Sequence, residues 1–462
     1  MFMSDAELAN EWSELLDRLD RHATSGLPSP DTATLSELMA TYRVPGISIA
    51  VSHSAGPVWA AGYGTTGAAE PTPVNVHTAF QACSISKHVA AFGTLRLVAD
   101  GVLELDTDID EYLTSWRLPA GDGWRAGVTL RQLLAHTAGL SGNWFRGYGV
   151  DEPIPSLLQT LQGDAPANTP PVRPSLLPGS RFRYSGSHYA VLQQLLVDVT
   201  GSRFDELMRT LVLEPVAMGD SSFDQRFPGQ RRQLVALGHQ VAGARLAGGW
   251  RTIPEMAGAG LWSTPTDLLR LDLEIARAIA GKSELLDREL AVQMVTPQLP
   301  GGGYGLGTEI DDSNGHRRFG HTGGNVGYGC FSFAWPESGA GVAVMANSDD
   351  AKEILASIFA VADRRYAADV KATPAGDVTG RYLLRDGYPI DVAAADGRLT
   401  FTAAGQPPVV LRPLPNGHYR HPGLDLEVRF ARTADQPYAM ELRQEGATQS
   451  ATRTAGPPAE QP

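Results

Sequence analysis

The chain has 462 residues, of which 42% are apolar and 19% charged, enough apolar material for a sizeable core and too much for a disordered protein. A formal net charge of −13 sets nucleic acid and anionic membranes aside as partners, because both repel an acidic surface. Two cysteines, Cys83 and Cys330, are too few for a disulfide scaffold, and neither has metal-ligand spacing.

Residues 5–23 place Leu8, Trp12, Leu15, Leu16 and Leu19 on one helical face. This N-terminus lacks the basic and apolar regions of a secretory signal, and no run reaches the roughly 18 apolar residues of a membrane span, so a cytoplasmic location is expected. Residues 24–33 read as a linker, which closes an N-terminal segment over 1–30. Val44-Pro45-Gly46 leads into an apolar strand at Ile47–Val51, with Val58–Gly62 as its hairpin partner. Helical periodicity takes over at about 85–100 and stops at Gly101. Further helices are predicted over 128–140, 188–199, 202–213 and 265–281. Strands return within 317–347, and a helix over 351–368 completes a unit spanning 31–370. After Pro374, residues 378–445 break into short alternating segments with turn signals, the pattern of a small all-β barrel assigned to 375–452. The closing stretch GATQSATRTAGPPAEQP reads as a frayed tail, disordered over 453–462.

Three elements carry chemistry. The first is Ser84-Ile85-Ser86-Lys87 at the start of the 85–100 helix. Residues three apart on a helix face each other, so the Lys87 amine reaches the Ser84 hydroxyl. A lysine desolvated there loses its charge near neutral pH and serves as the base that a serine nucleophile needs. Only four of the 38 Lys and Arg residues are lysines, and chance supplies about 0.25 such pairs; the bland alternative is an N-cap serine with a solvated lysine. The second element is Tyr184-Ser185-Gly186, where a tyrosine near Lys87 would shuttle protons between Ser84 and a leaving group. The third is His321-Thr322-Gly323-Gly324 on a strand. Its small residues let a substrate lie along the edge, and a free N–H there completes an oxyanion hole.

Together, the three resemble the S-x-x-K, middle polar and K-T-G set of the serine β-lactamases and penicillin-binding proteins. The class C β-lactamase and esterase branch is most similar. The likeness covers roughly 35–365 and includes the segment Thr129-Leu130-Arg131-Gln132-Leu133-Leu134-Ala135-His136-Thr137-Ala138-Gly139-Leu140. It implies an α/β (α+β) β-lactamase/transpeptidase-like fold: an antiparallel sheet flanked by helices, an all-helical subdomain and a C-terminal lipocalin-like barrel. It implies Ser84 as nucleophile, Lys87 as its partner and Tyr184 as general base and acid. His321 would support the tyrosine and orient a substrate carboxylate or carbonyl, and the N–H groups of Ser84 and Gly324 would form the oxyanion hole. Thr322, Gly323 and Gly186 would line the substrate.

Gly186 stands where the family commonly has Asn, so weak or no β-lactam turnover is expected. His188 is a substitute for that polar contact, and Trp144 a candidate pocket wall, while His136 reads as structural. The implied activity is acyl transfer through an acyl-Ser84 ester from small esters, amides or peptides, without cofactor or metal. That describes an esterase, an amidase or a D-amino-acid-selective peptidase. Acyl transfer to an amine, as in a stand-alone thioesterase or peptide cyclase, is the alternative enzyme. A non-catalytic binding protein that keeps the fold is the alternative from another class.

Overall fold

The computed structural model describes residues 4–21, 24, 31–53, 58–67, 72–120, 124–142, 145–311, 317–367, 378–384, 387–395, 398–404, 406, 408–413, 418–420, 426–431, 439–444 and 447–454. Two compact units divide the chain, one of residues 1–310 with 318–363, the other of 311–317 with 364–462.

The first unit is built on a six-stranded sheet. Its strands are β1 (Gly46–Ser52), β2 (Val58–Gly64), β3 (Glu309–Asp311), β4 (Arg318–Asn325), β5 (Tyr328–Trp335) and β6 (Ala340–Ala346), in the order β2-β1-β6-β5-β4-β3. The pairs from β2 through to β4 are antiparallel, with Ile49 opposite Val344, His321 opposite Ser332 and Gly323 opposite Cys330. Every residue of β1 and β6 is buried, which explains why their sequences run apolar rather than alternating: both sheet faces are covered.

Helices α1 (Asp5–Leu16), α2 (Leu35–Tyr42), α3 (Ile85–Ala99), α4 (Leu130–Leu134), α5 (Gly186–Thr200), α6 (Pro265–Ile279) and α7 (Lys352–Ala367) accompany the sheet. Ser4, Thr34 and Thr129 close capping boxes on α1, α2 and α4, each satisfying end N–H groups that the helix itself leaves unpaired. α6 is amphipathic and lays Leu268, Leu271 and Ile275 inward. α3 differs in kind, because it is buried on all sides from Ile85 to Leu95. A helix with no polar face belongs in the middle of a core, and its first turn is therefore a rigid place to mount a nucleophile.

Two boundaries fall short of the periodicity. α1 ends at Leu16, after which Leu19–Asp20 pairs with Thr32–Ala33 as a short two-stranded ribbon. α4 ends at Leu134, because His136 turns left-handed at φ 56° and breaks the helical path.

The second unit is an eight-stranded antiparallel barrel: β7 (Gly380–Leu384), β8 (Pro389–Ala395), β9 (Arg398–Ala403), β10 (Val409–Pro413), β11 (His418–Arg420), β12 (Glu427–Ala431), β13 (Ala439–Gln444) and β14 (Ala447–Arg453). Tyr382, Ile390, Leu399, Val428 and Met440 fill its interior, as side chains do in small barrels. The reading of a frayed tail beginning after Glu445 is corrected here. Residues 447–453 are the closing strand, pairing with β7 through Tyr382 opposite Arg453, and closure removes both sheet edges.

Candidate active site

Ser84 occupies the N-cap of α3, but its backbone is helical (φ −66°, ψ −12°) and its hydroxyl makes no capping bond. The bland alternative for this serine therefore fails, and its oxygen is left for chemistry. Cys83 just before it is held left-handed at φ 52°, a strained conformation for a non-glycine residue. The turn is tied down by Ser86, whose Oγ donates to Cys83 O at 2.6 Å and accepts from the Leu261 N–H at 3.0 Å. One helical turn on, Lys87 Nζ lies 3.0 Å from Ser84 Oγ and donates to Gly258 O at 2.7 Å. The lysine is only 2% exposed. Burial brings its ammonium down to about 7, against the opposing pull of Cys83 and Glu309.

Tyr184 precedes α5, with its ring 5.0 Å from Lys87 Nζ. Burial pushes its phenol well up, and a hydrogen bond with Ser84 offsets only part of that rise. The phenol is thus a neutral hydroxyl hydrogen-bonded with Ser84. Its ring packs on His136 at 4.3 Å between centroids, with Tyr304 and His321 at 6.3 and 6.2 Å.

β4 comes up against the Ala82–Cys83 turn at Gly323. A Cβ there would stand 2.6 Å from Cys330 Sγ, 2.9 Å from Ala82 O and 2.9 Å from Cys83 Cβ, so glycine is required for the strand to lie this close. Gly324 has open space around it, and Thr322 is exposed. Ser84, Lys87, Tyr184 and the 321–324 strand thus surround one small volume.

His321 is the neighbour whose geometry departs from the sequence reading. It is 1% exposed, its Nε2 accepts from the Tyr304 hydroxyl at 2.9 Å, and its Nδ1 donates to Thr322 O at 2.5 Å. Burial, its largest influence, holds the imidazole at about 4. A neutral, buried ring with both nitrogens engaged has no donor to offer a substrate carboxylate; it fixes the strand and Tyr304.

His188 is corrected similarly. It is fully buried on α5, with Nε2 accepting from the Leu140 N–H at 3.2 Å and Nδ1 meeting His136 Nδ1 at 2.9 Å. Neither nitrogen is left for a substrate. His136 also accepts from the Ser185 N–H at 3.3 Å, so the histidine pair fastens the loop after α4 to the start of α5. Gly186 is the first residue of α5 and brings no side chain to the site. Trp144 lies outside the described residues. A cavity of about 640 Å³ lined in part by Gly142, Phe145, Val172, Arg183 and Ser187 borders Tyr184 and Gly186 in sequence. Its Phe145 wall packs on Gly258, where an added Cβ would meet the ring at 2.5 Å.

Four residues in or near the site escape sequence reasoning. Gly258 acts through its carbonyl, which carries no residue identity. Tyr304 sits in the run Gly-Gly-Gly-Tyr-Gly-Leu-Gly; an aromatic alone among glycines is a usable signal. Glu309 accepts from the Thr322 hydroxyl at 2.7 Å and lies 3.4 Å from His321 Nδ1. Glu255, three residues before Gly258, is 1% exposed, and its carboxyl oxygens have no hydrogen-bond partner among the described residues.

Glu255 supplies a stability prediction. Burial raises its carboxyl from 4.5 to about 7. An unfolded chain ionises this group above about 4.5, whereas the folded chain keeps it neutral until about 7. Stability is therefore lost as pH rises between those values, and above 7 the penalty is complete, roughly 3 kcal/mol by the size of the shift. Glu255→Gln is expected to raise Tm at pH 8 and to change it little at pH 4.5. A gain independent of pH would show that the carboxyl is not the source.

A family model described as Beta-lactamase matches residues 32–363. The chain is 24% identical over 335 residues to Penicillin-binding protein 4 of Amycolatopsis lactamdurans, covering 70% of this chain and 86% of that one. It is 26% identical over 331 residues to Esterase EstB of Burkholderia gladioli, covering 63% and 82%. Among solved structures, the D-amino acid amidase from Ochrobactrum anthropi SV3 complexed with L-phenylalanine amide superposes with a TM-score of 0.56 at 18% identity, covering 78% of this chain and 99% of that one.

Proposed function

The chain belongs to the beta-lactamase family, and from that premise we propose that it hydrolyses small esters or amides, D-amino-acid derivatives included, through an acyl-Ser84 intermediate. The observation that carries this reading is the buried Lys87 amine 3.0 Å from a serine hydroxyl that caps nothing. With an amine poised at about 7, a neutral fraction is present at physiological pH, and it takes the hydroxyl proton as Oγ attacks the acyl carbon. The N–H groups of Ser84 and Gly324 receive the oxyanion. The neutral Tyr184 phenol gives its proton to the leaving group and is reprotonated from Lys87. In deacylation the phenol accepts a proton from the attacking water while passing its own to Lys87, which returns it to Ser84 Oγ.

Without a side-chain amide at position 186, the site lacks a grip on the amide of a β-lactam or peptide, so nitrocefin is turned over weakly or not at all. The test is incubation with p-nitrophenyl acetate, followed by intact-mass measurement and peptide mapping. The expected result is steady nitrophenol release with one acetyl group on Ser84, both abolished in Ser84→Ala. Turnover that survives Ser84→Ala, or an adduct mapped elsewhere, overturns the reading.

A further inference from the structure

The strand edge that a substrate would lie along carries an unexpected charge. β3 is three residues long and β4 eight, so among the described residues β3 can pair with only part of the outer edge of β4. Glu309 opens β3, and its side chain is 29% exposed. Its carboxylate holds the Thr322 hydroxyl at 2.7 Å, which commits that donor to an anion already in the protein. Among the described residues, no lysine or arginine forms an ion pair with it. The ring of His321 is held neutral by burial, as are those of His136 and His188, and the phenols of Tyr184 and Tyr304 are raised by burial. Lys87 faces Ser84 and Gly258 O from inside the core. Arg183, next to Tyr184 in sequence, turns to Leu140 O at 2.9 Å and Ser175 Oγ at 3.0 Å. Glu309 nevertheless lies close enough to the reacting groups to act on Lys87, Tyr184 and His321 alike.

We propose that Glu309 is a specificity residue that receives a cationic ammonium group on the acyl part of the substrate, so that donors with a free amino group are preferred over N-acylated or carboxylate-bearing ones. An acyl group bonded to Ser84 and laid along Thr322–Gly324 brings its nearest substituents beside this carboxylate. An ammonium there gains a charge-assisted hydrogen bond in a site that screens charge poorly. A carboxylate in the same place meets like charge, a hydroxyl already committed and an imidazole with no free donor. The inference rests on the serine-hydrolase reading and adds the class of acyl donor to it.

The test uses the full-length protein at pH 7 with the methyl esters of D- and L-alanine and their N-acetyl and N-succinyl derivatives. For the better enantiomer, kcat/KM for the free amine is expected to exceed that for the N-acetyl ester by tenfold or more, with the N-succinyl ester slowest. Glu309→Gln is expected to collapse that ratio about tenfold, and Glu309→Asp to restore part of it. Working with ratios cancels any common change in the base, and should Glu309→Gln fold poorly, Glu309→Ala is the second variant, expected to collapse the ratio likewise. A ratio near or below one in the wild type, or one unchanged in Glu309→Gln, overturns the proposal. If p-nitrophenyl acetate still acylates Ser84 in that case, the hydrolase reading stands and only the ammonium preference falls. If no donor acylates Ser84, both fall.

Discussion

Lys87→Met is expected to lower acylation of Ser84 by roughly 10³–10⁵-fold while raising the thermal stability of the protein. The loss follows from removing the amine that takes the serine proton. Tyr184, beside Ser84, is a phenol pushed well above its usual range by burial, and His321 points both nitrogens at Tyr304 and Thr322. The gain follows from the amine's surroundings. An unfolded chain carries this ammonium charged below about 10.5, while the folded chain releases the proton down to about 7. Folding must therefore expel a proton between those values. Stability falls as pH drops from about 10.5 to 7, and below 7 the full cost of burying the charge is present, on the order of 3–5 kcal/mol. Methionine fills the same space without that cost. The pH profile supplies the companion measurement. With a lysine base at about 7, wild-type kcat/KM rises through neutral pH and then levels, because only the deprotonated amine accepts the serine proton. Single-turnover acylation and differential scanning calorimetry read both halves. A variant that is both inactive and less stable at pH 7 points to a structural lysine, and one that acylates at wild-type rates removes the amine from the mechanism.

What could be read in advance divides along physical lines. The Ser84–Lys87 pair was legible because helical spacing is local: positions three apart meet whatever the rest of the chain does. The main strands and long helices were legible for a similar reason, since periodicity records which faces are buried. His188 and His321 show where that reasoning ends. A histidine's environment is set by partners distant in sequence, here Leu140, His136 and Tyr304, and no spacing rule gives the face of α5 or β4 on which those partners wait. The barrel's last strand was hidden differently. Residues 447–453 read Ala-Thr-Gln-Ser-Ala-Thr-Arg, with Ala451 buried at 2%, and so polar a segment becomes a strand because it pairs with β7 and β13. Glu309 and Gly258 are the functional counterpart. One is an acid that opens a three-residue strand closed by a second acid, Asp311, the other a backbone oxygen, and both acquire meaning only through what folding sets beside them.

The second large effect lies behind the nucleophile rather than in front of it. His88 follows Lys87 on α3 and points its Nε2 at Asp272 Oδ1 of α6, 3.0 Å away, with both side chains 1% exposed. The other face of the imidazole meets Thr308 Oγ1 at 3.1 Å and Gly307 O at 3.2 Å, and Ser332 of β5 donates its hydroxyl to Asp272 Oδ2. One buried carboxylate thus joins the nucleophile helix, the sheet and the helix covering it. Asp272→Ala strands an imidazole nitrogen and a hydroxyl where water does not reach and leaves a cavity, so a loss of about 3–5 kcal/mol is expected. Asp272→Asn keeps the volume and one acceptor, and should lose distinctly less. The double replacement His88→Leu with Asp272→Leu removes the polar groups together and should recover much of the single-variant loss, since it is the widowed partner rather than the missing pair that is costly. Urea unfolding of the wild type, these three variants and the single replacements His88→Leu and Asp272→Leu measures this. A cycle in which the double variant loses the sum of the two single losses would mean that His88 and Asp272 act independently, and that the rigidity of the Ser84 turn comes from α3 packing alone.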